Sequence, residues 1–154
     1  MRTKNFNTSL VLLKTDSVLN ANMWNVIKRF EQKKLKIVWM KMMWLDEKIL
    51  RQHYFHVIDK PFFPGIVKYM TQSPILALAI YWNNWVEIVR KLTWATNPAE
   101  ANSWTIRWDF WHDFNTTVLH SSDSLENAKR ELEIFFKNNE IFEYKKNTCK
   151  NLEE

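Results

Sequence analysis

The sequence predicts an α+β fold in which amphipathic helices pack on a small antiparallel sheet. Two observations support this prediction. Short apolar runs such as Ser9–Leu13 and Pro74–Tyr81 have the length and composition of buried strands. Longer segments place apolar residues three and four positions apart, as in Met23, Val26, Ile27 and Phe30, which is the spacing of one helical face. Both kinds of segment recur along the chain, as expected for strands and helices sharing one core.

The first half of the chain is predicted to contain two strands and three helices. The boundaries follow from apolar periodicity and from polar residues able to cap a helix. In order, these elements are a strand over Ser9–Leu13, a helix from about Met23 to Lys33 or Lys34, a strand over Lys36–Met43, a helix over Asp46–His53 with Asp46 as its cap, and a Pro-Phe-Phe-Pro-Gly turn leading into a short helix within residues 61–70.

The second half repeats the alternation and adds one long loop. Its predicted elements are a strand over Pro74–Tyr81, a helix capped by Asn84 and Glu87, a loop from about Thr93 to Asn115, a strand over Thr116–Leu119, a helix over Ser124–Phe136, and a polar tail from Lys137 in which Ile141, Phe142 and Tyr144 could dock on a neighbour. Loops as long as the one predicted here are usually functional. The order of elements is typical of a ferredoxin-like α/β sandwich with a four-stranded antiparallel sheet.

Composition limits the classes of protein that the chain can belong to. A length of 154 residues is that of one domain, and 22 basic against 17 acidic residues give a formal charge of +5, which favours small anionic ligands such as nucleotides. The single cysteine, Cys149, excludes a disulfide framework within the chain. The apolar run Pro74–Tyr81 is too short to span a membrane, and Met1–Thr8 lacks the apolar core of a signal peptide. We therefore expect a cytoplasmic protein that does not bind membranes.

The segment Val118–Ser124 gives the strongest functional signal. An apolar run ends in His120, small polar residues follow, and Asp123 with Glu126 has the spacing of a capping box for the next helix. His120 is therefore expected at a strand end beside a helix N-terminus, whose unpaired N–H groups favour an anion such as phosphate. A histidine there can act as a nucleophile, although a lone histidine before a helix is more often structural.

Two further histidines, His53 and His56, are spaced like a pair of metal ligands. The sequence offers neither a nearby cysteine nor an evident third ligand, so no metal site is assigned to them. His112 is interpreted as a surface residue.

With its flanking segments, the chain resembles the nucleoside diphosphate kinase family over roughly residues 8 to 140. Several long motifs agree in family order and spacing. They are Leu10–Asp16, Ile27–Glu31, Lys60–Met70, Val89–Leu92, Ala95–Ala101, Thr105–Arg107 and His120–Ser124. The resemblance implies a ferredoxin-like kinase domain over 8–140 and leaves 141–154 as a polar C-terminal tail.

The resemblance also implies a two-step transfer of the γ-phosphate of a nucleoside triphosphate, mainly ATP, to a nucleoside diphosphate. His120 would be the nucleophile and Glu131 the carboxylate that orients it. The implied substrate-binding residues are the cations Lys14, Arg90 and Arg107, the hydroxyl groups of Tyr54, Thr96 and Thr117, and Phe62 as the base platform. Without the resemblance, Lys14 and Arg90 would be interpreted as solvated charges and Phe62 as a core residue.

The same resemblance implies further partners. Mg²⁺ would arrive with the nucleotide, held mainly by phosphate oxygens and water. A homo-tetramer or homo-hexamer is expected, and nucleic acid is not, because the aromatic residues do not follow a strand-face pattern for stacking bases.

Departures from the family pattern suggest a second interpretation. Thr117 stands where the family has asparagine, Ser121 where it has glycine, Thr15 where it has proline, and Phe114 where it has a small residue beside the base. The loss of one hydrogen bond at Thr117 would cost roughly 0.5–1.5 kcal/mol. The alternative is therefore a catalytically weak or inactive homologue that serves as a nucleotide-binding or assembly module.

Glycine and tryptophan have unusual frequencies in this chain. It has one glycine, Gly65, and nine tryptophans, whereas ordinary usage would give roughly eleven glycines. Six tryptophans occupy positions where the family has glycine: Trp24, Trp82, Trp94, Trp104, Trp108 and Trp111. We hypothesise that the gene uses the codon UGA for glycine, and that the amino-acid sequence was obtained by translating UGA as tryptophan. The alternative is a diverged, tryptophan-rich paralogue.

Overall fold

The computed structural model of the chain describes residues 7–81, 85–93, 102–110, 117–137, 139–142 and 144. Within these residues, four strands form one sheet: β1 (Thr8–Leu13), β2 (Lys36–Met43), β3 (Ile75–Tyr81) and β4 (Leu119–Ser121). Their order is β2-β3-β1-β4, and each neighbouring pair is antiparallel. The predicted ferredoxin-like α+β fold with a four-stranded antiparallel sheet is confirmed.

Helices connect and cover these strands. They are α1 (Thr15–Leu19), α2 (Met23–Gln32), α3 (Glu47–His53), a single 3₁₀ turn over Phe55–Val57, α4 (Phe63–Met70), α5 (Trp85–Thr93), α6 (Ile106–Phe110) and α7 (Leu125–Phe135). Asp46 caps α3 as predicted, since its side chain accepts a hydrogen bond from the backbone N–H of Ile49 at 2.7 Å.

Both faces of the sheet are covered by helices, and alternate apolar residues of a strand belong to the core on one face or the other. In β1, Val11 and Leu13 belong to a core beneath α2 and α5, whereas Leu10 and Leu12 belong to a second core beneath α3, α4 and α7. This alternation follows from the two-residue period of a strand. Because His120 lies directly opposite Leu12 across the β1–β4 pair, its side chain belongs to the second face.

Three predicted elements differ from the structure. The last strand is predicted over Thr116–Leu119, but β4 begins at Leu119 and ends at Ser121, because Val118 has a φ of 59°, which is incompatible with an extended strand. Thr116 lies outside the described residues. The predicted loop of residues 93–115 contains α6. The cap of α7 is Ser124 and not Asp123, since the Ser124 hydroxyl accepts from the backbone N–H of Asn127 at 3.1 Å.

The C-terminal tail contacts the edge strand β2 of its own chain. The backbone N–H of Phe142 donates to Val38 O at 3.0 Å, and the Tyr144 hydroxyl donates to Ile37 O at 2.8 Å. No helix in the described segments is long and apolar enough to cross a membrane.

Candidate active site

His120 lies in the middle of β4 and is paired with a buried carboxylate. Its Nε2 is 3.0 Å from Glu131 Oε1, and Glu131, on α7, has only 4% of its surface exposed. An ionised carboxylate can only accept a hydrogen bond, so Nε2 is the protonated nitrogen when the imidazole is neutral. The lone pair of His120 is therefore on Nδ1.

Ser122 fixes the other oxygen of this carboxylate. Its hydroxyl donates to Glu131 Oε2 at 2.6 Å, and its Oγ also accepts from the backbone N–H of Leu10 at 3.1 Å. Ser122 lies two residues after His120, so both side chains point to the same face of the sheet. Each oxygen of the Glu131 carboxylate thus has its own hydrogen-bond partner, which fixes the orientation of the group that contacts His120.

His53 packs against the same histidine from α3. The two rings have centroids 4.5 Å apart in an edge-on arrangement, and His53 Nδ1 is 4.0 Å from Glu131 Oε1. His53 is 2% exposed, and within the part of the chain that the structure describes neither of its ring nitrogens has a hydrogen-bond partner. Burial, reinforced by the nearby His120, lowers the pKa of His53 to about 2, which keeps this side chain neutral. His56, with which the sequence pairs it, is exposed instead.

Lys14 and Thr117 contact one another at the end of β1. The Lys14 ammonium donates to Thr117 Oγ1 at 2.7 Å. Burial lowers the pKa of Lys14 to about 8; the positive charge of Arg107 adds to this, and the negative charge of Asp16 opposes it. The threonine that replaces the family's asparagine therefore accepts a hydrogen bond from a partly desolvated cation.

Arg107, on α6, is buried against backbone carbonyls. It is 7% exposed, and its guanidinium donates to the carbonyl oxygens of Thr93 at 3.2 Å, Thr117 at 3.3 Å and Leu119 at 3.1 Å. Burial lowers its pKa to about 10. This arginine joins α5, α6 and β4, so it also stabilises the segment that leads to His120.

Val118, which follows Thr117 and directly precedes β4, is held in a left-handed conformation by hydrogen bonds. Its N–H donates to Asp16 Oδ2 at 3.0 Å, while its carbonyl accepts from Ser17 Oγ at 2.6 Å and from the backbone N–H of Lys14 at 3.0 Å. A β-branched residue at a φ of 59° is strained, and such strain persists only where neighbouring contacts enforce it.

The remaining predicted site residues are Tyr54, Phe62, Arg90 and Thr96, and only Tyr54 is described next to the residues that contact His120. Tyr54 is half-buried next to His53, and burial with the nearby Glu131 charge raises its pKa to about 12. Phe62 and Arg90 are exposed, on the N-terminal boundary of α4 and on α5. Thr96 lies outside the described residues.

Two residues of this site, His53 and Asp16, have no role that the sequence predicts. His53 directly precedes the predicted site residue Tyr54, and Asp16 ends the matched motif Leu10–Asp16, so both positions adjoin residues that the sequence does indicate.

The structure supplies a steric reason for glycine at one of the unusual tryptophans. Trp104 has a φ of 72° and is 83% exposed, and a left-handed conformation of this kind favours glycine. Trp24 and Trp108 lie within helices α2 and α6. Trp82, Trp94 and Trp111 lie outside the described residues, as do Phe114 and His112.

Known proteins resemble this chain over most of its length. The family model described as nucleoside diphosphate kinase matches residues 7–141. The nucleoside diphosphate kinase of Pyrococcus horikoshii is 42% identical over 139 residues, covering 88% of each chain. Nucleoside diphosphate kinase B of Bos taurus is 39% identical over 137 residues, covering 89% of this chain and 90% of the relative.

Solved structures give the same result. The Halobacterium salinarum nucleoside diphosphate kinase in complex with CDP superimposes with a TM-score of 0.86 at 32% identity, covering 90% of this chain and 93% of that one. A transition-state mimic of the Borrelia burgdorferi enzyme with bound vanadate and ADP gives 0.83 at 32% identity, covering 90% and 92%. The fold and the site thus define a phosphotransferase. The chain belongs to the nucleoside diphosphate kinase family.

Proposed function

We propose that this chain transfers the γ-phosphate of a nucleoside triphosphate, mainly ATP, to a nucleoside diphosphate through a phosphohistidine on His120. The observation that supports this assignment is the fixed arrangement of His120, Glu131 and Ser122. It leaves one imidazole nitrogen with a lone pair and gives the other a permanent acceptor for its proton.

In the first step, Nδ1 of His120 attacks the γ-phosphorus. The Nδ1–P bond forms while the bond from phosphorus to the β,γ-bridging oxygen breaks, and the nucleoside diphosphate leaves with that oxygen. The Nε2–H···Glu131 hydrogen bond strengthens as the ring gains positive charge. In the second step, an oxygen of another nucleoside diphosphate attacks the same phosphorus and Nδ1 is released, which gives ping-pong kinetics.

Cations and hydroxyl groups around His120 would stabilise the transferred phosphoryl group. Phosphoryl transfer depends mainly on positioning and on charge stabilisation at the equatorial oxygens. We assign these roles to Lys14, Arg90 and Arg107, with hydroxyl groups from Tyr54, Thr96 and Thr117. The exposed ring of Phe62 would stack on the base, and because every base has a π-face, this contact accepts many nucleosides.

Mg²⁺ would enter with the nucleotide and would neutralise phosphate charge. We propose that Mg²⁺ is held mainly by phosphate oxygens and water, because this hard cation prefers oxygen ligands and usually keeps several of its waters.

We further propose a homo-tetramer or homo-hexamer located in the cytoplasm. A single cysteine is consistent with a reducing compartment. Light scattering on the purified full chain would give its mass, and a monomer would contradict the proposed assembly.

The mechanism is tested by incubating the full chain with γ-labelled ATP and Mg²⁺. We expect label that is released by acid, survives base, and maps by mass spectrometry to His120. Label on another residue, or nucleotide binding without any label, would contradict the proposal; the second result would favour the inactive-homologue interpretation.

A further inference from the structure

The arrangement of His53, His120 and Glu131 has a property that phosphate transfer does not use. Each residue offers one potential metal-ligand atom, and the three atoms lie within 4.8 Å of one another. Two imidazoles and one carboxylate form the protein ligand set of many zinc sites that keep an open fourth position. We propose that these three residues bind Zn²⁺, or a similar borderline divalent cation, and that this binding inhibits the enzyme.

The interatomic distances are close to those that a tetrahedral ion requires. Zinc bonds of about 2.0–2.1 Å place neighbouring ligand atoms roughly 3.3 Å apart. Glu131 Oε1 is 3.0 Å from His120 Nε2 and 4.0 Å from His53 Nδ1. The third pair of ligand atoms, on His53 and His120, lies within 4.8 Å. Completing the site therefore closes a gap of at most about 1.5 Å, shared between two side chains, which is within the ordinary range of side-chain adjustment.

His53 provides the second, independent indication of a ligand. Its ring is buried against Tyr54, Phe135 and His120, yet neither nitrogen has a hydrogen-bond partner among the described residues. Buried polar atoms in native proteins are nearly always satisfied, and each exception needs an explanation such as an ion. The His120 side chain, 24% exposed, gives the ion a route of entry from solvent.

Binding at Nε2 would stop phosphate transfer through the tautomer of His120. A neutral imidazole carries one ring proton, which the Glu131 carboxylate holds on Nε2. When the metal takes the Nε2 lone pair, that proton moves through solvent to Nδ1. Nδ1 then has no lone pair for the γ-phosphorus, so this part of the inference rests on the proposed function. Mg²⁺ does not compete, since it prefers oxygen ligands to imidazole.

Neighbouring positive charges oppose the metal and limit its affinity. Arg130 Nη2 lies 3.8 Å from Glu131 Oε1, and the Lys14 ammonium acts on His53 from nearby. The site is therefore suited to reversible inhibition and not to permanent metal storage.

The direct test uses Co²⁺ alone, without nucleotide, and follows the visible absorption that reports tetrahedral coordination. All proteins carry Cys149→Ser, so that no thiolate contributes. We expect one Co²⁺ per chain, displaced by Zn²⁺, and at least about tenfold weaker binding in His53→Phe, which keeps an aromatic ring of similar size without nitrogens. The matched control is His56→Ala, which removes an exposed histidine three residues away and should bind as the parent does.

A second variant protects the test against misfolding of the first. Glu131→Gln keeps the side-chain shape but removes the anionic ligand, and should also weaken Co²⁺ binding at least tenfold. The proposal is wrong if the parent binds no Co²⁺. It is equally wrong if binding weakens with His56→Ala, or if neither His53→Phe nor Glu131→Gln weakens it.

Inhibition is measured separately as labelling of His120 from γ-labelled ATP in buffered Zn²⁺. Labelling should fall as the site fills and return fully with a chelator. If label never reaches His120 even without Zn²⁺, the proposed mechanism fails, but the Co²⁺ titration still decides whether the metal site exists. Binding of Zn²⁺ with undiminished labelling would overturn the inhibitory role.

Discussion

The two sides of the proposed active site are built by different means. On the nucleophile side, His120, Glu131 and Ser122 form a chain of hydrogen bonds between side chains that lie on regular elements. On the cation side, Lys14 and Arg107 are desolvated and bound to a threonine hydroxyl and to backbone carbonyls. Burial shifts the pKa of both cations downward.

This difference predicts that substitutions on the two sides have different effects. On the nucleophile side, hydrogen bonds fix the position of His120, so substitutions there should affect the chemical step. On the cation side, a bound anion would neutralise buried positive charge, so substitutions there should affect nucleotide binding, pH dependence and, for Arg107, stability.

The largest expected effect comes from removing the nucleophile. His120→Ala should lower exchange to below about 1% of the parent, because loss of a nucleophile typically costs far more than a hundredfold. Stopped-flow or coupled assays of NDP phosphorylation measure it, with His56→Ala as the matched control that should keep full activity. Residual exchange above that level would rule out His120 as the covalent carrier.

Changing the carboxylate tests whether it acts by fixing the tautomer. Glu131→Gln should lower kcat by at least about tenfold while leaving KM nearly unchanged, since the amide can donate to Nε2 and favour a proton on Nδ1. Steady-state kinetics separate the two parameters. An equal loss through KM would show that Glu131 supports nucleotide binding instead.

Alanine substitutions at the two predicted phosphate-binding arginines should differ in their effect on the stability of the fold. Arg107→Ala should lower the free energy of unfolding by about 1–3 kcal/mol, because its carbonyl partners become unsatisfied, and should also weaken nucleotide turnover. Arg90→Ala, at an exposed position on α5, should weaken turnover with a melting temperature close to that of the parent. Unchanged kcat/KM in both variants would contradict the assigned phosphate site.

Lys14 predicts a pH dependence on the alkaline side. With a pKa of about 8 in the free enzyme, Lys14 is charged below this pH and loses its proton above it. Therefore kcat/KM should fall as pH rises through about 8. Lys14→Gln should have a low kcat/KM without this alkaline decline, and an unchanged decline would assign the titration to another group.

The same shift has the opposite sign for stability. The folded chain releases the Lys14 proton near pH 8, whereas the unfolded chain holds it up to its ordinary pKa of 10.5. Because the unfolded state then binds more protons, this residue makes the folded state relatively more stable as pH rises from about 8 to 10.5. Chemical denaturation of the parent and of Lys14→Gln across that range measures the difference.

The smallest expected effect concerns the tryptophans. Trp104→Gly should raise the free energy of unfolding by about 1 kcal/mol, because it removes a side chain from a left-handed residue. Trp24→Gly, in helix α2, should lower it by roughly 0.5 kcal/mol, since glycine weakens helices. Glycine at all six positions remains the test of the recoding hypothesis, and UGG codons at Trp94, Trp104 and Trp108 would refute that hypothesis.

The sequence predicted those features of the fold that depend on local periodicity. Strand β2 has the predicted bounds, Lys36–Met43, and burial alternates along its second half, from Trp39 to Met43. The start of β4 was wrong, since nothing local indicates that Val118 takes a positive φ enforced by Asp16, 102 positions away. The helix cap was displaced by one residue because Asp123 and Ser124 can both serve as caps.

The candidate site residues were assigned through resemblance, which also implied that Glu131 contacts His120. The contact between His53 and His120 was not predicted, because it joins two segments far apart in the chain and neither spacing nor composition indicates that they meet. For the same reason, the three carbonyl partners of Arg107 could be seen only in the structure.

The conformation of Val118 has a consequence for the folding of the chain. Its backbone is kept left-handed by Lys14, Asp16 and Ser17, which follow the first strand at the opposite end of the sequence. Contacts between such distant segments form slowly because a long loop must close first. The strand that carries the histidine therefore reaches its native geometry only after the N-terminal strand has docked. In a nascent or partly folded chain, His120 therefore lacks its native surroundings, and the proposed site is assembled only when the sheet is complete.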